Sequence, residues 1–121
     1  TKIYSNEILK LTDLNLINSA AHITGGGLIE NLLRSVPNHL SLNIDLSKIE
    51  ITKIFKWIKS KNISDQEMIR TFNCGIGFCI IAPRKNITKI KRKFSKKFMP
   101  YEIGYISKDK NKINLSKNLR W

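Results

Sequence analysis

His22-Ile23-Thr24-Gly25-Gly26-Gly27-Leu28-Ile29-Glu30-Asn31 is the stretch whose reading decides the fold. A β-branched, strand-like lead stops at three glycines, and a helical apolar pattern begins at once. Successive glycines surrender much backbone entropy, so a chain keeps them where it turns sharply or lets another group come close. Ahead of a helix, their N–H groups and the positive end of the helix dipole form a ready anion seat. One reading is a phosphate-bearing ligand at residues 24–27. The other is a tight strand-to-helix turn with no ligand. The run alone leaves both open, because its spacing is neither a Walker loop nor a dinucleotide fingerprint.

Working outward, residues 19–24 read as the strand that leads into the glycines. Before it, Ser5 stands where a cap would start a short helix carrying Ile8, Leu9 and Leu11. After it, Leu28, Ile29, Leu32, Leu33 and Val36 keep helical spacing until Pro37 ends the helix. Leu40-Ser41-Leu42-Asn43-Ile44-Asp45 alternates as a strand with one buried face. Ile51, Ile54, Phe55 and Ile58 form an amphipathic helical stripe. Ser64-Asp65-Gln66-Glu67 is a capping box opening a helix to about Phe72. Residues 75–82 are apolar on both faces and read as a central strand covered on two sides. Ile87, Ile90, Phe94 and Phe98 mark another helix, residues 101–107 a strand, and 112–115 a last edge strand. The expected class is α+β: a mixed four- to five-stranded sheet layered by helices on both faces. Residues 1–121 form a single domain by length.

No apolar run approaches the ~20 residues that span a bilayer, and no signal-peptide pattern opens the chain. Residue 1 is Thr rather than Met, so the chain reads as a piece of something longer. Cys74 and Cys79 are five apart and would point to opposite faces of one strand, which predicts reduced thiols and suits a reducing cytoplasm. The formal charge is +13, and Arg84, Lys85, Lys89, Lys91, Arg92, Lys93, Lys96 and Lys97 crowd into a stretch free of acids. That invites a nucleic-acid reading. Lys, Asn and Ile abound throughout, however, and a charge run is usually a solvated face. No nucleic-acid motif or stacking platform accompanies the lysines.

The residues placed for chemistry gather in two clusters. His22 precedes the glycines and has the pKa range to meet a phosphate or sugar hydroxyl, or simply to hydrogen-bond at a strand end. Glu30 suits the first turn of a helix electrostatically, Asn31 can project beside the loop, and Arg34 can grip an anion or stand on the surface. The second cluster is Arg70-Thr71-Phe72-Asn73-Cys74-Gly75-Ile76-Gly77, where Asn73 can bond a ligand or cap the preceding helix. With only His22 and His39 available, there is no Ser-His-Asp set, and no zinc spacing occurs.

Taken together, Ala21 to Asn31, Arg34, Ile44-Asp45, Phe55-Lys56-Trp57-Ile58 and Glu67-Met68-Ile69-Arg70-Thr71-Phe72-Asn73-Cys74-Gly75-Ile76-Gly77 closely resemble the C-terminal domain of the phosphoribosylformylglycinamidine cyclo-ligase family, the aminoimidazole ribonucleotide synthetases. The likeness covers essentially the whole chain, and Thr1-Lys2-Ile3-Tyr4 looks like the segment that opens the domain. Leu33 and Phe78 replace a proline and a methionine common in the family.

The resemblance implies a partly ferredoxin-like layered fold and a role in de novo purine synthesis. ATP and Mg²⁺ activate the amide oxygen of formylglycinamidine ribonucleotide as a phosphate ester, and an internal nitrogen closes the imidazole ring. It further implies a homodimer, an active site in the cleft between two domains, and an N-terminal domain carrying most nucleotide and metal ligands. No metal ligand is assigned to this chain, and alone it is expected to be inactive. Thr24, Gly25, Gly26, Gly27, Glu30 and Asn31 are the expected phosphate- and substrate-binding residues, with His22 and Asn73 catalytic. The alternatives are a small basic nucleic-acid-binding module, or a superfamily relative acting on another substrate.

Overall fold

The computed structural model describes residues 2–121, so Thr1 of the opening segment lies outside the described residues. The elements run α1 (Ser5–Asp13), β1 (Ser19–His22), α2 (Gly27–Arg34), β2 (Ser41–Asp45), α3 (Lys53–Lys59), α4 (Asp65–Thr71), β3 (Phe78–Ile81), α5 (Ile87–Arg92), β4 (Gly104–Ser107) and β5 (Ile113–Ser116). The α+β class and the five strands agree with the sequence. The strands divide, however, into two sheets, β1–β3 and β4–β2–β5.

β1 and β3 pair antiparallel, with His22 opposite Phe78 and Ser19 opposite Ile81. In the other sheet β2 is central, antiparallel to β4 and parallel to β5. Leu42 and Ile44 are buried on the expected face, and Ser41 on the other face is buried as well. Asn43, pointing the other way, receives a bond from Asn114 Nδ2 at 3.0 Å and donates to Ser107 Oγ at 2.8 Å. β5 is an edge strand, as expected.

The expectation of a central strand at 75–82 is corrected. Cys74 and Gly75 stand at φ +53° and +107°, which turns the chain and delays the strand to Phe78. β3 then pairs with β1 alone. Its two-faced apolar character has a clear use all the same. Cys79 and Ile81 pack on the main core of Leu28, Leu32, Ile44 and Met68. Ile80 joins Leu11, Leu16 and Ile90 in a second cluster formed with α1 and α5.

Three local readings also change. Tyr4, not Ser5, occupies the cap position of α1, and no side chain bonds the helix end there. Ser64 Oγ accepts the Glu67 N–H at 3.2 Å, but the Glu67 carboxylate turns to the Thr71 hydroxyl at 2.5 Å instead of reaching back. In α3, Phe55 and Ile58 pack on the core whereas Ile54 is 56% exposed. The C-terminal Trp121 ties back to α4, donating its indole N–H to Asp65 Oδ1 at 2.8 Å.

Candidate functional site

The glycine run makes the turn that the sequence predicts. Gly27 N–H donates to the Thr24 carbonyl at 3.2 Å, and Gly26 stands at φ +95°, ψ 0°, a conformation open to glycine and strained for side-chain-bearing residues. Gly27, at φ +67°, lies against another element. A Cβ there would run into the carbonyls of Arg70 and Ile69 at the end of α4. The glycine therefore lets α2 and α4 approach, and the positive end of α2 meets carbonyls at the negative end of α4. The expectation that all three glycine amides face a ligand is corrected at Gly27, which is buried with its N–H already engaged.

Gly25 is different. It is exposed, its φ is not left-handed, and a Cβ there would meet nothing within 4 Å. Nothing among the described residues requires glycine at this position. The remaining glycines, Gly75, Gly77 and Gly104, each lie against another part of the chain. The N–H groups of Gly25 and Gly26 make no hydrogen bond among the described residues.

Asn31 does not project beside the loop. It is 8% exposed, and its Nδ2 donates to the carbonyls of Gly27 (2.7 Å), Gly25 (3.2 Å) and Thr24 (3.4 Å). Its role in the structure is to gather the carbonyls of the turn on the inner side. Glu30 is exposed and pairs with Arg34, one helical turn on. Its carboxylate also reaches over Gly26, with Oε2 2.6 Å from where a Cβ would stand. The outer mouth of the turn thus carries two free amides, a carboxylate and a guanidinium.

The second cluster lies beside the first. The Ile23 N–H donates to the Gly77 carbonyl at 3.0 Å, joining the two loops directly. Asn73 Oδ1 accepts the Gly75 N–H at 3.0 Å, and its backbone carbonyl accepts the Ile76 N–H at 2.9 Å. The side-chain oxygen of Asn73 is therefore engaged in shaping its own turn. His22 is exposed and stacks on Phe78, with ring centroids 5.9 Å apart.

Sequence reasoning missed Tyr4. Its ring contacts Phe78 at 5.4 Å and Phe98 at 5.9 Å, and its hydroxyl lies against Gly77. Burial, with a smaller contribution from Cys79, raises the Tyr4 pKa, so the phenol stays protonated. No local pattern links residue 4 to residues 77 and 78, so only the tertiary fold reveals this ladder.

Among the described residues no group of three or more His, Cys, Asp or Glu is placed to hold a metal ion, and no helix is long and apolar enough to cross a membrane. Cys74 and Cys79 are free thiols. They do not share a strand, since Cys74 precedes β3 in the turn.

An α+β domain with a glycine turn docked beside a second Asn/Gly turn defines a class of domain with a two-loop mouth. Residues 1–115 match the family model described as AIR synthase related protein, C-terminal domain, and the chain belongs to that family. It is 37% identical over 110 residues to a phosphoribosylformylglycinamidine cyclo-ligase of Lactobacillus helveticus, covering 89% of this chain and 32% of that protein. It is 45% identical over 91 residues to the protein of the same name from Geotalea daltonii, covering 74% and 26%. It is 47% identical over 88 residues to a trifunctional purine biosynthetic protein adenosine-3 of Chironomus tentans, covering 72% and 6%. The chain spans about a third or less of these relatives.

Proposed function

We propose that this chain is the C-terminal part of an ATP-dependent cyclo-ligase that closes formylglycinamidine ribonucleotide to aminoimidazole ribonucleotide in purine synthesis. Family membership supports the class of reaction. The observation that carries the site is Gly25, a glycine with open space around it and no left-handed φ to explain it. An exposed, uncrowded backbone suits close approach by a ligand.

In this reading a phosphate oxygen of the ribonucleotide or of ATP accepts the N–H groups of Gly25 and Gly26. Thr24 borders the same mouth. Glu30 accepts a hydrogen bond from a ribose hydroxyl, while Arg34 offsets its charge so that the anion is not repelled. Asn31 holds the turn from within and does not touch the ligand. His22 and Asn73 flank the cleft and orient the substrate where the ring closes. Transfer of the γ-phosphoryl group of ATP to the amide oxygen would release ADP and make that oxygen a leaving group; attack by the internal nitrogen would then close the ring and expel phosphate. The resemblance to the family assigns the magnesium ligands to the part of the enzyme outside this chain. That part also supplies the contacts of a homodimer. The working compartment is a reducing cytoplasm, where both cysteines stay reduced.

The test is a chimera in which this chain replaces the corresponding domain of the Geotalea daltonii cyclo-ligase. ATP-dependent formation of aminoimidazole ribonucleotide by the chimera, and none by this chain alone, is the expected result. A folded chimera without activity, or turnover by the isolated chain, contradicts the proposal.

A further inference from the structure

His22 stands exposed at the end of β1, just ahead of the glycine turn. Left to itself, an exposed imidazole on a strand samples several rotamers. Here a partner faces it. The Ile23 N–H bond to the Gly77 carbonyl makes the adjoining pair, His22 and Phe78, a non-hydrogen-bonded one. In an antiparallel ladder that is the position where facing side chains come closest. The two rings stack, with centroids 5.9 Å apart and planes inclined by 27°.

Phe78 is itself held. Its ring meets Tyr4 at 5.4 Å, and Tyr4 meets Phe98 edge-on at 5.9 Å. Lys2 Nζ and Lys97 Nζ each lie 5.5 Å from the Phe98 ring centroid, which fastens the far end. Gly77 leaves the room this needs, since a Cβ there would run into the Tyr4 hydroxyl and ring. Segments far apart in sequence thus meet in one aromatic column, and the column ends on an exposed, polar ring rather than on a covered apolar one.

We propose that Phe78, backed by Tyr4, is a positioning residue that fixes the His22 imidazole in one orientation at the rim of the glycine turn. This rests on the proposed role of His22 in orienting the substrate for ring closure. Phe78 acts through His22 and makes no contact with the substrate. Its flat ring, rather than its bulk, is the property that the role requires.

The first measurement is nuclear magnetic resonance on this chain. The His22 ring protons should show Overhauser contacts to the Phe78 ring and ring-current-shifted resonances. Phe78→Leu keeps an apolar side chain and should return those resonances to the positions of a free histidine. Phe78→Tyr and Tyr4→Phe keep the rings and should leave them in place. Tyr4→Leu should move them part of the way, and it carries the same decision if Phe78→Leu does not fold. The second measurement is a double-mutant cycle in the chimeric enzyme. Phe78→Leu should lower kcat about tenfold with KM little changed and the circular dichroism spectrum unaltered, and Phe78→Tyr should retain the rate. In a His22→Ala background, Phe78→Leu should cost nothing further. Unmoved His22 resonances in the leucine variants, or an equal loss of kcat with and without His22, overturns the proposal. A folded but inactive chimera instead contradicts the reading of the reaction, while the resonances of this chain still decide whether Phe78 holds His22.

Discussion

Asn31 donates its side-chain amide to the Gly27 carbonyl four residues back, at 2.7 Å, and the same nitrogen reaches Gly25 and Thr24. One buried side chain thus fixes three carbonyls of the glycine turn. Asn31→Ala removes this donor from all three carbonyls, the buried contact to Gly27 being the costliest, while the Thr24 oxygen keeps the Gly27 N–H. The expected loss is about 1–3 kcal/mol of unfolding free energy, read by urea denaturation. Asn31→Asp should lose more, since a carboxylate would face three carbonyl oxygens. A loss below about 0.5 kcal/mol for Ala, the range of ordinary surface changes, would remove this role from Asn31.

The neighbouring glycines separate fold from function. Gly27→Ala adds a methyl group against the Arg70 carbonyl in a left-handed conformation. It should cost about 2–4 kcal/mol from the two effects together. Gly25→Ala meets nothing and should stay within about 0.5 kcal/mol of the parent. In the chimeric enzyme, Gly25→Val should impair substrate binding while the melting temperature holds. Equal stability losses at positions 25 and 27 would contradict the assignment.

Asp45 should give the domain an acid-sensitive joint. Its carboxyl is lowered to about 2, first by the bond from Lys117 Nζ and then by Ser47. A carboxyl held below its unfolded value stabilises the fold above that value, and the contribution fades as pH falls through the folded one. The window therefore runs from about pH 4 down to about 2. Asp45→Asn should flatten the dependence of unfolding free energy on pH within that window and leave the slope above it unaltered. An unchanged acid limb in the variant would show that the pair contributes nothing.

Burial pushes the Cys74 thiol up to about 11 and the Cys79 thiol up to about 12. Only the thiolate reacts, so both should resist iodoacetamide near neutral pH while the protein is folded. In denaturant both should alkylate readily, as mass spectrometry would show. Fast labelling of Cys79 in the folded protein would mean that β3 opens on the labelling timescale.

Much of this architecture is legible in the chain because the signals are local. The alternation of residues 40–45, the Ser64 cap and the glycine run before α2 each act over a few residues, and each appears where its pattern puts it. The division into two sheets is not local. Two-faced apolar strands occur in sheet centres, and β3 satisfies that pattern by serving two separate core clusters. The site divides in the same way. The turn at 24–27 can be read from its glycines, but the duties of Gly27 and Asn31 depend on α4 and on carbonyl directions that no spacing encodes. The ladder from His22 through Phe78 to Tyr4 needs β1, β3 and the chain start to meet.

The central claim is that the turn at residues 24–27 seats a phosphate on the amides of Gly25 and Gly26. Titrating ¹⁵N-labelled protein with ribose 5-phosphate and following individual amide resonances tests it most directly. Saturable shifts at Gly25 and Gly26, with Gly27 nearly still because Thr24 already holds its N–H, are the predicted result. Unmoved resonances at Gly25 and Gly26, or shifts confined to the lysines of residues 84–97, would contradict it.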